Sequence, residues 1–126
     1  MSTAPIKTIL LIDDEEYICL IIEACIENFS NWKPVIVPSC EEGLAAVNHR
    51  PDAILLDMLM PNMNGFDFLK ILQANPKFAD IPVVLLTSRV DLTETQKIAQ
   101  LGVKGAIAKP FHPTKIVDQI TKILGW

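Results

Sequence analysis

Four short apolar runs end in polar residues of reactive types: the pair Asp13–Asp14, then Asp57, Thr87 and Lys109. Carboxylates, a hydroxyl and an ammonium are the parts of cation-binding and phosphoryl-transfer sites. Hard oxygen donors hold a cation, and an ammonium offsets phosphate charge. Each position also has a simpler reading. An Asp pair behind a strand commonly caps a turn or helix, and Asp57 can cap the loop that follows it. Thr87 can be an ordinary strand-end residue, and Lys109 a solvated lysine. Their joint placement at the ends of separate strands is harder to explain as unrelated caps, because all of them then meet in one cleft.

Electrostatics constrains such a cleft. Two carboxylates about 4 Å apart repel by roughly 4 kcal/mol at an effective dielectric near 20. Three of them beside a single Lys109 require either a protonated carboxyl or a bound cation. Carboxylate, carbonyl and water oxygens suit Mg²⁺, which keeps several waters and is commonly completed by a phosphate oxygen. The pattern points to chemistry in which a carboxylate attacks phosphorus and forms an aspartyl phosphate.

The elements that position these residues are legible as an alternation. Apolar runs at Thr8–Ile12, Val35–Val37, Ala53–Leu56, Val83–Leu86 and Ala106–Ala108 are short and bounded by Pro, Gly and Asp, which favours strands. Helical patterns lie between them. Ile18, Ile21, Ile22, Cys25, Ile26 and Phe29 form one apolar face. Ser39, with Glu42 three residues on, signals a capping box. A third helix is expected from about Phe66 to Ala74, with Phe66, Leu69 and Leu72 in the core and Phe68 and Ile71 partly so. Asp91 and Glu94 suggest the cap of a fourth helix, which Gly102 ends. Pro113 suits the first turn of a fifth, with Ile116, Ile120, Ile123 and Leu124 on one face.

The result is (βα)₅, an α/β fold with a five-stranded, doubly wound parallel sheet. For the acids of the first and third runs to act together, those two strands must be neighbours. The second strand then lies at the edge, where flanking Pro34 and Pro38 are tolerated. The order becomes 2-1-3-4-5, with the cleft at the carboxyl ends of the strands where the winding reverses.

Bulk properties exclude several classes. The 126 residues suit one domain, and no linker or repeat divides them, so a single domain over 1–126 is expected. The apolar run Tyr17–Ile22 ends at Glu23, far short of the roughly 20 residues a membrane span needs. The first residues lack a secretory pattern, so a cytoplasmic location is expected. Cys19, Cys25 and Cys40 form no CxxC pair and read as buried thiols in a reducing compartment. A net charge of −4 with scattered Lys and Arg argues against a nucleic-acid surface.

The stretches Ile-Leu-Leu-Ile-Asp-Asp-Glu (9–15), Ile-Leu-Leu-Asp-Met-Leu-Met-Pro-Asn-Met-Asn-Gly (54–65), Val-Val-Leu-Leu-Thr-Ser (83–88) and Ala-Lys-Pro-Phe (108–111) resemble the receiver domains of two-component response regulators. The similarity covers nearly the whole chain, and its specific parts are Asp-x-x-Met-Pro-x-Met-x-Gly and Lys-Pro-Phe. It implies a flavodoxin-like fold like that of chemotaxis receivers, and because the expected fifth helix runs to Leu124-Gly125-Trp126, a single receiver domain without an output domain is expected. It implies that Asp57 accepts a phosphoryl group from a histidine kinase or phosphotransfer protein in a Mg²⁺-dependent reaction. Asp14 and Asp57 would ligate Mg²⁺ directly, with the Leu59 backbone carbonyl, and Asp13 largely through water. Thr87 and Lys109 would each meet a phosphoryl oxygen, and the Lys109–Pro110 bond would be cis.

Such a chain is not an enzyme for outside substrates; it undergoes only its own phosphorylation and dephosphorylation, and signals to a downstream protein target. It engages neither nucleic acid nor membrane. Family members often carry Tyr or Phe where Ala106 stands, so the common threonine–aromatic relay cannot operate. Movement of residues 88–92 is expected instead. Leu59 and Arg89 occupy positions that tune phosphoryl lifetime in the family. Two other readings are a small phosphohydrolase with an Asp nucleophile and a pseudo-receiver that acts by binding alone. The adjacent aspartates after the first run depart from the Asp-x-Asp of haloacid-dehalogenase-like phosphatases. The intact Asp, Thr and Lys set disfavours the pseudo-receiver.

Overall fold

The computed structural model describes residues 6–58, 60 and 63–126. Strands β1 (Thr8–Ile12), β2 (Lys33–Val37), β3 (Ala53–Asp57), β4 (Val83–Thr87) and β5 (Gly105–Ala108) alternate with helices. The helices are α1 (Glu16–Phe29), α2 (Cys40–Ala46), α3 (Gly65–Ala74), α4 (Thr95–Leu101) and α5 (Ile116–Leu124). Every strand pair is parallel, and the order is β2-β1-β3-β4-β5, as the acidic strand ends required.

β3 and β4 are buried at every position, which is why they carry no polar alternation. Edge strand β2 is more exposed and starts earlier than expected, taking in Lys33 and Pro34. Pro34 lies opposite Ile9, and an edge strand tolerates its missing N–H.

Side chains alternate across the sheet and build two cores. Leu10, Ile12, Ile54, Leu56 and Leu85 pack with Phe68, Leu69 and Leu72 of α3. Ile9, Leu11, Leu55, Val84 and Leu86 pack on the other face with Ile22 and Ile26 of α1 and Ile116 and Ile120 of α5. Full burial of each such side chain is worth about 1.5–3 kcal/mol, so the sheet that carries the site is held from both sides.

Local signals hold at several ends. Ser39 Oγ accepts the Glu42 N–H at 3.1 Å, and Gly102 closes α4 with φ 70°. Asn64, not singled out in the sequence, caps α3 by accepting the Asp67 N–H at 3.0 Å.

Four expectations need correction. Phe29, the last residue of α1, is 58% exposed rather than part of the buried face. The buried face of α3 is Gly65, Phe68, Leu69 and Leu72, so Phe68 is fully buried, Phe66 half-buried and Ile71 exposed. That rotation follows from Gly65, which lies against Met58 so closely that a Cβ would stand 2.6 Å from Met58 Sδ and 2.8 Å from its Cα. Asp91 does not cap α4. It lies in a 3₁₀ turn (Val90–Thr93) and pairs with Arg89, while Glu94 precedes α4 without a side-chain cap bond. Pro113 precedes α5 instead of entering it. A turn closed by the Lys115 N–H on the His112 carbonyl (2.9 Å) takes Pro113 at its second position, which suits the fixed φ of proline.

Candidate functional site

The backbone brings the reactive side chains to one edge of the sheet. Asp13 follows β1, and its N–H donates to the Val37 carbonyl at 3.2 Å, extending the β1–β2 ladder. Asp57 ends β3 opposite Leu86, and Thr87 ends β4 opposite Ala108. Lys109 follows β5, with its N–H donating to the Thr87 carbonyl at 2.8 Å. The Lys109–Pro110 bond is cis, as the resemblance implied.

One carboxylate oxygen from each of Asp13, Asp14 and Asp57 lies within 4.8 Å of the others. Asp13 and Asp57 are buried, and Asp14 is exposed. Lys109 Nζ approaches the cluster, 3.0 Å from Asp13 Oδ2 and 3.5 Å from Asp57 Oδ2. It also lies 3.1 Å from Glu15 Oε1, a contact the sequence reading missed. The available signal was only that Glu15 directly follows the acidic pair.

Burial works to lower the Lys109 pKa. The hydrogen bond and charge of Asp13, the charge of Asp57 and the hydrogen bond to Glu15 outweigh it, so the ammonium is held above its ordinary range. Lys109 is therefore charged at neutral pH. One cation serves several acids, and the triad of hard oxygen donors is able to bind a metal ion. The Leu59 carbonyl expected beside them lies outside the described residues, as do Pro61 and Asn62.

The surroundings of Thr87 differ from those of the acids. Its buried hydroxyl accepts the Arg89 N–H at 3.0 Å. The Arg89 guanidinium pairs with Asp91 at 2.8 Å and stands 5.9 Å from the centre of the Phe66 ring. Ala106 lies opposite Leu85 and is half-buried. Beneath the acids, Cys19 Sγ donates to the Asp13 carbonyl at 3.3 Å. Burial, with the Asp13 charge, pushes its pKa up to about 11, which leaves a neutral packing thiol and no nucleophile. All three cysteines are free and buried. Among the described residues no helix is long and apolar enough to cross a membrane.

The family described as the response regulator receiver domain matches residues 9–121. The chain is 30% identical over 123 residues to the phosphate regulon transcriptional regulatory protein PhoB of Klebsiella pneumoniae, covering 94% of this chain and 52% of that protein. It is 28% identical over 115 residues to the DNA-binding response regulator MtrA of Mycobacterium leprae, covering 90% of this chain and 49% of that one. The chain thus spans about half the length of these relatives. Among solved structures, the N-terminal domain of a response regulator receiver protein from Methanoculleus marisnigri superposes with a TM-score of 0.76 at 29% identity, covering 97% of this chain and 99% of that one. The chemotaxis response regulator CheY4 of Vibrio cholerae has a TM-score of 0.84 at 23% identity, covers 94% and 99%, and shares the fold.

Proposed function

The chain belongs to the response regulator receiver domain family of two-component systems, and from that premise we propose that Asp57 is its phosphoryl acceptor. The observation that carries this reading is the setting of one buried carboxylate. Asp57 has Lys109 Nζ at 3.5 Å and oxygens of Asp13 and Asp14 within 4.8 Å. An Asp57 oxygen attacks the phosphorus of a phosphohistidine on a histidine kinase or phosphotransfer protein. The new O–P bond forms as the P–N bond breaks, and the imidazole leaves with that electron pair. Lys109 offsets charge gathered on the phosphoryl oxygens, and the Thr87 hydroxyl donates to one of them.

In this proposal Asp14 and Asp57 would hold Mg²⁺ directly and Asp13 through water, with the carbonyl of Leu59, a residue outside those described. The ion would supply charge neutralisation for the transferring group. The phosphorylated chain signals by contact with a protein target in the cytoplasm and turns over no outside substrate. The test is incubation with acetyl phosphate and Mg²⁺, followed by borohydride trapping and mass spectrometric mapping. Label is expected on Asp57 and lost in Asp57→Asn or in EDTA. Label undiminished in either case overturns the assignment.

A further inference from the structure

Lys109 is shared between Asp57, at 3.5 Å, and a ring of shorter contacts that the transfer chemistry does not use. Asp13 Oδ1 accepts the Glu15 N–H at 2.9 Å, Asp13 Oδ2 accepts from Lys109 Nζ at 3.0 Å, and Glu15 Oε1 accepts from the same Nζ at 3.1 Å. The ring fixes Glu15 from its backbone. The Glu15 carbonyl also accepts the Cys19 N–H at 3.0 Å, which ties the residue to the first turn of α1. An ammonium has three donors. Two of those on Lys109 go to Asp13 and Glu15, and Asp57 at 3.5 Å is the most distant of the three acids.

We propose that Glu15 is a positioning residue that restrains Lys109 in the resting protein and releases it when a phosphoryl group reaches Asp57. The inference rests on the reading of Asp57 as acceptor and adds a competitor for its lysine.

The ring has one weak arm. The side chain of Asp13 is 0% exposed and that of Lys109 12%, whereas Glu15 is 57% exposed. A buried charge contact is costly to break without replacement, while water readily replaces an exposed one. A phosphoryl group carries about −1.5 to −2 charge, against the single charge of the carboxylate it modifies. Its pull on Lys109 is correspondingly stronger. The contact that yields is the solvated one to Glu15, and Asp13 keeps the ammonium at the site. Glu15 thus makes the resting state easier to hold, at some cost to the phosphorylated one.

Beryllofluoride, which stands in for the phosphoryl group on Asp57, tests this at equilibrium. Titrations at saturating Mg²⁺ follow the amide resonances of Asp57 and Thr87 in the unsubstituted protein, Glu15→Gln and Glu16→Gln. Glu15→Gln should tighten binding by about two- to fivefold, the span that an exposed ion pair corresponds to. The gain should fade near 1 M salt, where the screening length falls to about 3 Å. Glu16→Gln removes the same charge one residue on, from a side chain without an ion pair to Lys109 among those described, and should leave affinity close to that of the unsubstituted protein. An equal gain in Glu16→Gln would reduce the effect to net charge and overturn the proposal. Unchanged or weaker binding in Glu15→Gln overturns it as well. If the unsubstituted protein neither binds beryllofluoride nor takes label at Asp57, the acceptor assignment itself fails.

Discussion

Asp14→Asn should stabilise the metal-free protein while weakening its response to Mg²⁺. Asp14 lies within 4.8 Å of both Asp13 and Asp57, yet the ion pairs of Lys109 go to Asp13, Glu15 and Asp57. An amide there removes two repulsions and none of these attractions. At 4.8 Å each repulsion is about 3.5 kcal/mol at an effective dielectric near 20, and about 0.9 kcal/mol in bulk water. Asp14 is exposed, so solvent screening draws the value towards the lower figure. The two pairs then sum to about 2 kcal/mol, or roughly 5–10 °C in Tm for a domain of this size.

Excess Mg²⁺ should narrow or reverse the difference. A cation at a hundredfold its Kd stabilises the native state by about 2.7 kcal/mol, and the variant has lost one ligand. Calorimetric melts of both proteins in EDTA and in Mg²⁺ make the comparison. Calorimetry is preferable to Trp fluorescence. Trp32 and Trp126 pack edge-on at 5.0 Å, and Trp32 precedes β2 at the end of the sheet opposite the acids. A variant that melts at or below the unsubstituted protein in EDTA would refute the charge argument. Equal stabilisation of both by Mg²⁺ would remove Asp14 from the ligand set.

Two further outcomes are expected. Gly65→Ala places a Cβ 2.8 Å from Met58 Cα, a contact no side-chain rotation relieves. It should cost about 1–3 kcal/mol by denaturant melts and slow labelling of Asp57, which precedes Met58. Stability and labelling equal to those of the unsubstituted protein would mean that α3 shifts freely. With Ala106 too small to fill space vacated by Thr87, phosphorylation should act through the hydrogen bond from the Arg89 N–H to Thr87 Oγ1. Beryllofluoride should then shift the amide resonances of residues 88–94, led by Arg89. Silence there, with changes confined to α1, would contradict loop motion as the carrier.

The family was legible in the sequence because its motifs are short-range patterns, and the strand order because acids that act together at the ends of the first and third runs make those strands neighbours. Apolar runs bounded by Asp, Pro and Gly mark the strands, and the segment around Asp57 with the Lys-Pro-Phe triplet marks the family. Helix ends were legible only where a local bond decides them, as at Ser39 and Gly102. α4 was misjudged at its start because Asp91 is taken up by Arg89, which in turn stands near Phe66, a residue of another element. The face of α3 was misjudged by one residue, since its rotation is set by contact between Gly65 and Met58. Glu15 escaped notice for the same reason. Its partner Lys109 is 94 residues away along the chain, and the distance between them exists only once β1 and β5 share a sheet. Which groups are present and which strand ends carry them can be read along the chain, because residue type and local periodicity are properties of the chain. Which acids share Lys109, and which of them meets solvent, emerges only on packing, because electrostatic coupling depends on distance and burial in the folded chain.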